Sequence, residues 1–422
     1  MNLNTKGNTE VGRFDWSMLI IISLASIVMG IYRDGIAVLF PFLQRDFDLS
    51  RGELGLYISF LYITSSFVSI YTGRLVDLKG SKWGMIFGVS FVGVFLILHA
   101  VAPNFFILLV LAAILGIGLS INTPAANKGI MEIFPAKWRS TATGIWSTAF
   151  PIGGLLAAAF LPVIGMLIGW RKTIVLPGVL ALICALLILM FYQEKKREKN
   201  HFDKNDTKDI SFWKTIKQLL NNIDIIILCI YAFFLGAATG TIATHFTLFL
   251  YLDYGFTERI AGIGFAVTQL GSIIGKPVWG LICDKLLKAN KRKTFLLIGI
   301  TFFLITLIIG LFLKDLNPSF TIILVLAFLM GGSGRGWQGL FLSSIHEIVK
   351  EKQVGTAIGL VLIFLRLGIL FVPPVLGYIA DFRNSYDLSW LLLGSSFFLA
   401  SIFQYLFYIK MHNSKKYLTI NE

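Results

Sequence analysis

Long apolar runs alternate with short polar connections along almost the whole chain. Twelve runs can be distinguished, and each is long enough, as a helix, to span about 30 Å of hydrocarbon. Several connections are only a few residues long, such as residues 102–104, so consecutive helices are expected to be antiparallel. The pattern predicts an all-α membrane protein with twelve transmembrane helices. The runs, numbered as segments 1 to 12, cover residues 17–43, 53–76, 82–102, 104–133, 140–166, 170–192, 224–252, 257–283, 293–313, 318–348, 354–380 and 386–409.

The composition agrees with this pattern. Of the 422 residues, 56% are hydrophobic and only 14% are charged, and the mean hydropathy is +0.77. A soluble domain carries roughly 25% charged residues. We therefore expect a multi-pass protein that is surrounded by lipid in the cell inner (plasma) membrane. The first apolar run is too long for the core of a signal peptide and follows a polar start, so no cleaved signal is expected.

Lysine and arginine predict the orientation. When the amino terminus is placed inside, the inner connections and termini hold 25 of the 37 Lys and Arg residues, and the outer loops hold 7. Cytoplasmic loops carry such an excess. Both termini are therefore predicted to be cytoplasmic. The net charge of +14 is explained by these loops, and no nucleic-acid partner is expected.

A weak internal repeat divides the chain into two six-helix halves. Glu132-Ile133 matches Glu347-Ile348 at an offset of 215 residues, and the stretch 73–77 matches 280–284 at an offset of 207. The predicted domains are an N-terminal bundle over 1–192, a basic cytoplasmic linker over 193–223 and a C-terminal bundle over 224–422. Paired repeats with a site between them are typical of secondary transporters.

Charges inside the apolar segments point to the substrate class. Such residues are costly in lipid and usually face a protein interior or a wet cavity. The one acid near mid-membrane is Asp34. Because cations are in excess, an anionic substrate is favoured, and a cation carrier would show the opposite sign. Five cations lie within the segments, namely Arg33, Lys128, Lys276, Arg335 and Arg366.

Each of these cations has a structural alternative. Arg33 and Asp34 are not expected to pair with each other, because consecutive helical residues point about 100° apart. Arg33 then contacts a substrate carboxylate or an ion-pair partner elsewhere. Lys128, beside Asn127 as a further candidate contact, stands four residues before Glu132 and could pair with it on one helix face.

The cations of the second half leave similar alternatives open. Arg366 has only apolar neighbours in sequence, so it must reach across to substrate or to Asp34. Arg335 lies in a glycine-rich stretch, 331–339, that loosens segment 10, and irregular backbone at that depth is tolerated beside a cavity or protein. Lys276 could bind substrate or snorkel towards the interface.

Two residues are candidates for proton coupling. Asp34 could carry a proton when the cavity rearranges, and its alternative role is a counter-ion to Arg366 or Arg335. His245 could titrate, but a lone histidine on a helix is more often a packing residue. Na+ remains the alternative coupling ion.

The connection after segment 2 carries a family resemblance. Gly73-Arg74-Leu75-Val76-Asp77-Leu78-Lys79-Gly80-Ser81-Lys82 resembles the signature of the major facilitator superfamily, G-x-L-x-D-x-x-G-x-[KR]. The resemblance implies the twelve-helix fold and a gate at this loop, where Asp77 would meet the amino terminus of segment 11, near Gly355. The expected gating residues are Gly73, Asp77, Gly80, Lys82 and, in the second half, Asp284.

A finer resemblance is to the organic-anion (anion:cation symporter) branch of that superfamily. Arg33 stands eight residues before Pro41, Pro124-Ala125-Ala126-Asn127-Lys128 lies in segment 4, and Arg139-Ser140-Thr141-Ala142-Thr143-Gly144 follows. The chain departs from that branch in two places, because Asp34 follows Arg33 where the acid usually precedes it, and Lys128 replaces an arginine.

Together these features predict a secondary active transporter of a small organic anion, a carboxylate, that works by alternating access and proton symport. The alternatives are an anion exchanger of the oxalate:formate type, which resembles this chain in placing cations in segments 8 and 11, and a substrate sensor that does not transport. An enzyme is not expected, because no nucleotide-binding loop and no metal-spaced histidine–acid cluster is present. No cofactor or metal is expected, and a monomer is predicted.

Overall fold

The computed structural model describes residues 12–194, 212–312, 319–349 and 353–420. Within these ranges the chain is helical and forms no β-strand. Most of the predicted linker, 195–211, lies outside the described residues. The helices are α1 (Arg13–Val38), α2 (Phe40–Phe47), α3 (Arg51–Lys79), α4 (Ser81–His99), α5 (Phe105–Ile133), α6 (Ala136–Ser147), α7 (Ala149–Ile168), α8 (Trp170–Phe191), α9 (Phe212–Leu220), α10 (Ile223–Leu252), α11 (Glu258–Leu281), α12 (Lys291–Leu307), α13 (Phe320–Arg335), α14 (Gln338–Ile348), α15 (Val354–Arg383) and α16 (Asp387–Ile420).

The twelve predicted segments each contain a helix, which confirms the predicted fold class. Ten stretches in the described part of the chain are long and apolar enough to cross a membrane. The helix α3, bent by 55° between Arg51–Ser69 and Tyr71–Lys79, adds an eleventh. The remaining predicted segment, 257–283, contains α11, which is 24 residues long. It is not among these apolar stretches, and it contains polar side chains such as Gln269 and Lys276.

Three predicted segments are each divided into two helices. The break at Leu39 separates α1 from α2, and the break at Thr148 separates α6 from α7. Pro41 and Pro151 follow these breaks, and neither has an N–H group to donate to the carbonyl four residues earlier. The third break, between α13 and α14, lies in the glycine-rich stretch 331–339, as expected from its composition.

The chain forms two compact units. Unit 1 comprises the described residues of Met1–Leu39 and Phe60–Lys204, and unit 2 those of Phe40–Ser59 and Asn205–Glu422. α2 and the first part of α3 therefore belong to unit 2, although by sequence they lie in the first half.

Glycine pairs bring helices into direct backbone contact in both units. In unit 1, a Cβ on Gly30 would lie 2.2 Å from the carbonyl oxygen of Phe150, and one on Gly153 would lie 2.1 Å from that of Ile27. Close approach of this kind at small residues is a common way to pack membrane helices. The crossing of α1 and α7 is therefore specified by Gly30 and Gly153.

The same crossing recurs in unit 2. A Cβ on Gly236 of α10 would lie 1.9 Å from Leu365 O, and one on Gly368 of α15 would lie 2.0 Å from Phe233 O. Gly368 stands 215 residues after Gly153, which is the offset of the sequence repeat. The predicted repeat is therefore visible in the packing of each unit.

Candidate substrate-binding residues

Arg33 and Asp34 form a forked ion pair in unit 1. Arg33 Nε lies 3.0 Å from Asp34 Oδ1, and Arg33 Nη2 lies 3.1 Å from Oδ2. The Asp34 side chain is 1% exposed and that of Arg33 is 22% exposed. The expectation that these neighbours cannot pair is wrong. The long arginine side chain is flexible enough to reach the carboxylate of the next residue. The pair forms because a buried carboxylate without a partner would be costly.

Side chains from other helices of unit 1 position the Arg33 guanidinium. Its carbon lies 5.2 Å from the centroid of the Phe150 ring on α7, within the range of a cation–π contact. The side chain of Tyr62 on α3 also interacts electrostatically with it. Neither residue carries a local sequence signal, because only the crossing of α1 and α7 brings Phe150 to this place.

Lys128 holds the end of α3. Its Nζ donates to the backbone carbonyls of Val76 and Asp77, each at 2.8 Å, and lies 3.9 Å from Glu132 Oε1. Val76 O also accepts from Gly80 N at 2.9 Å. Because the last carbonyls of a helix lack intrahelical donors, the ammonium group acts as a cap for Asp77 O. These contacts favour the structural alternative for Lys128, and its substrate role stays a prediction. The adjacent Asn127 is half-buried.

Two of the unit 2 cations lie on the helix pair α11 and α13. Arg335 is 7% exposed and is the last residue of α13, with its guanidinium carbon 5.8 Å from the Phe265 ring centroid. Lys276 is half-buried and follows Gly275, whose Cβ position is 2.7 Å from Gly332 O. The close crossing of α11 and α13 thus sets the positions of both cations.

The third unit 2 cation, Arg366, is half-buried in the middle of α15. It stands two residues before Gly368, at the crossing with α10. The glycine contact holds this part of α15 against α10 and so fixes the depth at which Arg366 lies in unit 2.

His245 on α10 is fully buried and both ring nitrogens have partners. Nε2 lies 2.8 Å from the backbone carbonyl of Pro373, and Nδ1 lies 3.1 Å from the hydroxyl of Tyr386. A neutral ring that donates to the carbonyl and accepts from the hydroxyl satisfies both contacts. This geometry favours the packing role over the proton-carrying role.

The family model described as Major Facilitator Superfamily matches residues 22–286 and 228–420. The chain belongs to this superfamily. It is therefore a multi-pass membrane transporter and not an enzyme.

Relatives of this facilitator are similar along most of their length. A hexuronate transporter of Bacillus subtilis (strain 168) is 22% identical over 409 residues, covering 91% of this chain and 92% of the relative. The probable nitrate transporter NarT of Staphylococcus epidermidis is 26% identical over 388 residues, covering 90% and 92%. A crystal structure of a bacterial homologue of the human lysosomal transporter Spinster aligns with a TM-score of 0.78 at 18% identity, covering 94% of this chain and 97% of that one.

The signature loop of this facilitator joins α3 to α4. Gly80 has φ +100°, a backbone conformation that residues with a side chain rarely adopt. The Glu194 carboxylate accepts from Lys82 N at 2.6 Å, at the start of α4. Asp77 is exposed. Gly73 has no neighbour within 4 Å of its Cβ position in the described part of the chain. Asp284 is exposed in the π-helical turn Ile282–Leu286, and the gating roles stay predictions.

Proposed function

We propose that this facilitator moves a small organic anion, a carboxylate, across the cell inner membrane by alternating access, with proton symport through Asp34 and both termini cytoplasmic. The excess of intramembrane cations supports an anionic substrate. The relatives named as hexuronate and nitrate transporters support the same class.

The observation that carries the proposal is the forked pair of Arg33 and Asp34. An arginine fork matches a carboxylate with two parallel hydrogen bonds. Here that fork already holds a carboxylate of the protein itself. The Arg33 side chain is partly exposed while that of Asp34 is buried, so Arg33 is the member of the pair that a substrate carboxylate would contact.

The pair also provides a route to proton coupling. A protonated Asp34 is neutral and no longer holds the guanidinium by two charge-assisted hydrogen bonds. The N–H groups of Arg33 can then donate to a substrate carboxylate while the guanidinium keeps its contact with the Phe150 ring. Release of the proton restores the internal pair and expels the substrate. One proton and one anion would thus move together.

The cations of unit 2 are further candidate substrate contacts. Arg366 and Lys276 are both half-buried. The positions of Arg366 and Lys276 in the sequence also agree with the second candidate function, an anion exchanger with cations in segments 8 and 11. In an exchanger, Arg366 and Lys276 would bind either anion in turn, and a proton would not be needed.

A binding screen followed by uptake tests the proposal. The purified protein is screened by thermal shift against monocarboxylates that include hexuronates, dicarboxylates and nitrate, and the best anion is used in proteoliposomes. We expect Arg33→Ala and Arg366→Ala each to reduce uptake. Arg171→Ala is the matched control, because Arg171 Nη1 donates to the backbone carbonyls of Ala100 and Ala102.

The outcomes separate the candidates. Uptake that is stimulated by an inward proton gradient supports symport, whereas uptake that requires an internal anion and ignores the gradient supports exchange. If both arginine variants transport as well as the control, the site assignment is wrong.

A further inference from the structure

The segment Phe40–Ser59 and α15 belong to unit 2 and meet along the first turns of α3. A Cβ on Gly52 would lie 2.3 Å from the Tyr378 ring, and one on Gly55 would lie 2.6 Å from Pro374 Cα. Ser59 Oγ donates to Leu370 O. Residue numbers increase along α3 as those of the contacted residues decrease along α15, so the two helices are antiparallel in this region.

Pro374 explains the contact between Ser59 and Leu370. In a regular helix the carbonyl of Leu370 would accept from the N–H of residue 374, and Pro374 has none. Ser59 supplies the missing donor. The side chain of Ser59 therefore satisfies a backbone group that α15 cannot satisfy by itself.

The contact between α3 and α15 includes charged groups near Arg51, at the start of α3. The Asp381 carboxylate on α15 accepts from Arg51 N and Gly52 N, both at 2.9 Å. These are the first N–H groups of α3, which have no intrahelical acceptor, and the helix dipole favours an anion there. The Arg51 side chain returns to α15, where Nη1 donates to Ala380 O at 2.8 Å.

Two more groups of unit 2 surround Arg51. Its Nη2 lies 3.5 Å from Asp253 Oδ1, and its guanidinium carbon lies 5.2 Å from the Tyr386 ring centroid. Asp253 Oδ2 also accepts from Tyr386 N at 2.8 Å, so Asp253 keeps a partner when Arg51 leaves. The cluster can therefore open without leaving that carboxylate without a hydrogen bond.

We propose that Arg51 and Asp381 form an outer latch, a pair that closes the outer side of the pathway in one state of the transport cycle. By sequence α3 belongs to the first repeat and α15 to the second, so alternating access requires this contact to break when the outer side opens. The proposal rests on the superfamily membership and the proposed orientation, and it does not depend on which anion is carried.

The test measures how readily a reagent reaches position 59 from the outer side in the absence of substrate. Ser59→Cys places a thiol inside the contact, and right-side-out vesicles are treated with a membrane-impermeant maleimide. We expect Asp381→Asn and Arg51→Gln to raise the labelling rate about tenfold, because charge-assisted hydrogen bonds that hold the closed state are lost. The chain without Ser59→Cys measures the background from its three buried cysteines.

Glu53→Gln is the matched control. It removes a charge from the same turn of α3, but Glu53 Oε2 accepts from Ser50 N within that turn. Asp381→Glu keeps the charge and should restore slow labelling. Thermal unfolding of each variant identifies any that fails to fold, and the two latch variants act as independent tests. Equal rates in Asp381→Asn, Arg51→Gln and Glu53→Gln, or an increase seen only in inside-out vesicles, would overturn the outer latch.

Discussion

Replacement of Asp34 by asparagine tests the coupling mechanism most directly. In the structure Asp34 occupies the Arg33 fork with hydrogen bonds of 3.0 and 3.1 Å. A substrate carboxylate must displace it. Asparagine has nearly the same shape but no charge, so it competes weakly for the guanidinium. We therefore expect Asp34→Asn to bind the transported anion more tightly than the wild type, and to lose proton-driven accumulation while counterflow continues.

The size of the effect follows from the pair that is displaced. A hydrogen bond to a charged group contributes about 1.5–3 kcal/mol net, and the 22% exposure of Arg33 favours the lower end because solvent screens the pair. About 1.4 kcal/mol corresponds to a factor of ten in Kd. The dissociation constant of Asp34→Asn near neutral pH should thus fall about tenfold.

The sign of the pH dependence provides a second measurement. In the wild type, protonation of Asp34 removes the competing charge, so affinity should rise as pH falls. In Asp34→Asn the competitor is neutral at every pH, and affinity should not change over the same range. Equilibrium binding of the anion found in the screen, measured by calorimetry at several pH values, gives both quantities.

A specific result would refute this reasoning. If Asp34→Asn binds more weakly than the wild type and keeps its pH dependence, then Asp34 does not compete for Arg33. Arg33→Lys serves as the comparison, because it keeps the charge but cannot form the fork. It should weaken binding at every pH. Proton-driven uptake by Asp34→Asn at the wild-type rate would separately exclude Asp34 as the proton carrier.

The remaining predictions concern packing. Gly153→Ala places a Cβ 2.1 Å from Ile27 O, so thermal unfolding should show that overpacking lowers the stability by about 1–3 kcal/mol. Gly144→Ala should change the stability little, because its Cβ position has no neighbour within 4 Å among the described residues. Equal losses of stability in the two variants would contradict the crossing of α1 and α7. Lys128→Met should cost about 1 kcal/mol of stability, with anion affinity unchanged, because Asp77 O loses its donor whereas Val76 O still accepts from Gly80 N. A large rise in Kd with unchanged stability would instead assign Lys128 to the substrate.

The sequence by itself determined the fold class. Apolar runs of membrane-spanning length are a local property, and lipid permits few structures other than helices for them, so the twelve segments could be predicted without tertiary information. The signature at 73–82 and the repeat offset of 215 residues were also readable, and they indicated a facilitator with two halves. The sign of the intramembrane charges indicated an anionic substrate.

Only the tertiary structure decided which partners the charges have. Arg33 pairs with its neighbour Asp34 because burial makes an unpaired carboxylate costly and a flexible side chain can reach it, which helical geometry alone did not indicate. Lys128 takes the carbonyls at the end of α3 because the fold brings α5 beside them. The contact of Arg51 with Asp381 joins residues 330 positions apart. No local pattern encodes such a distance, since it follows from the packing of α3 on α15.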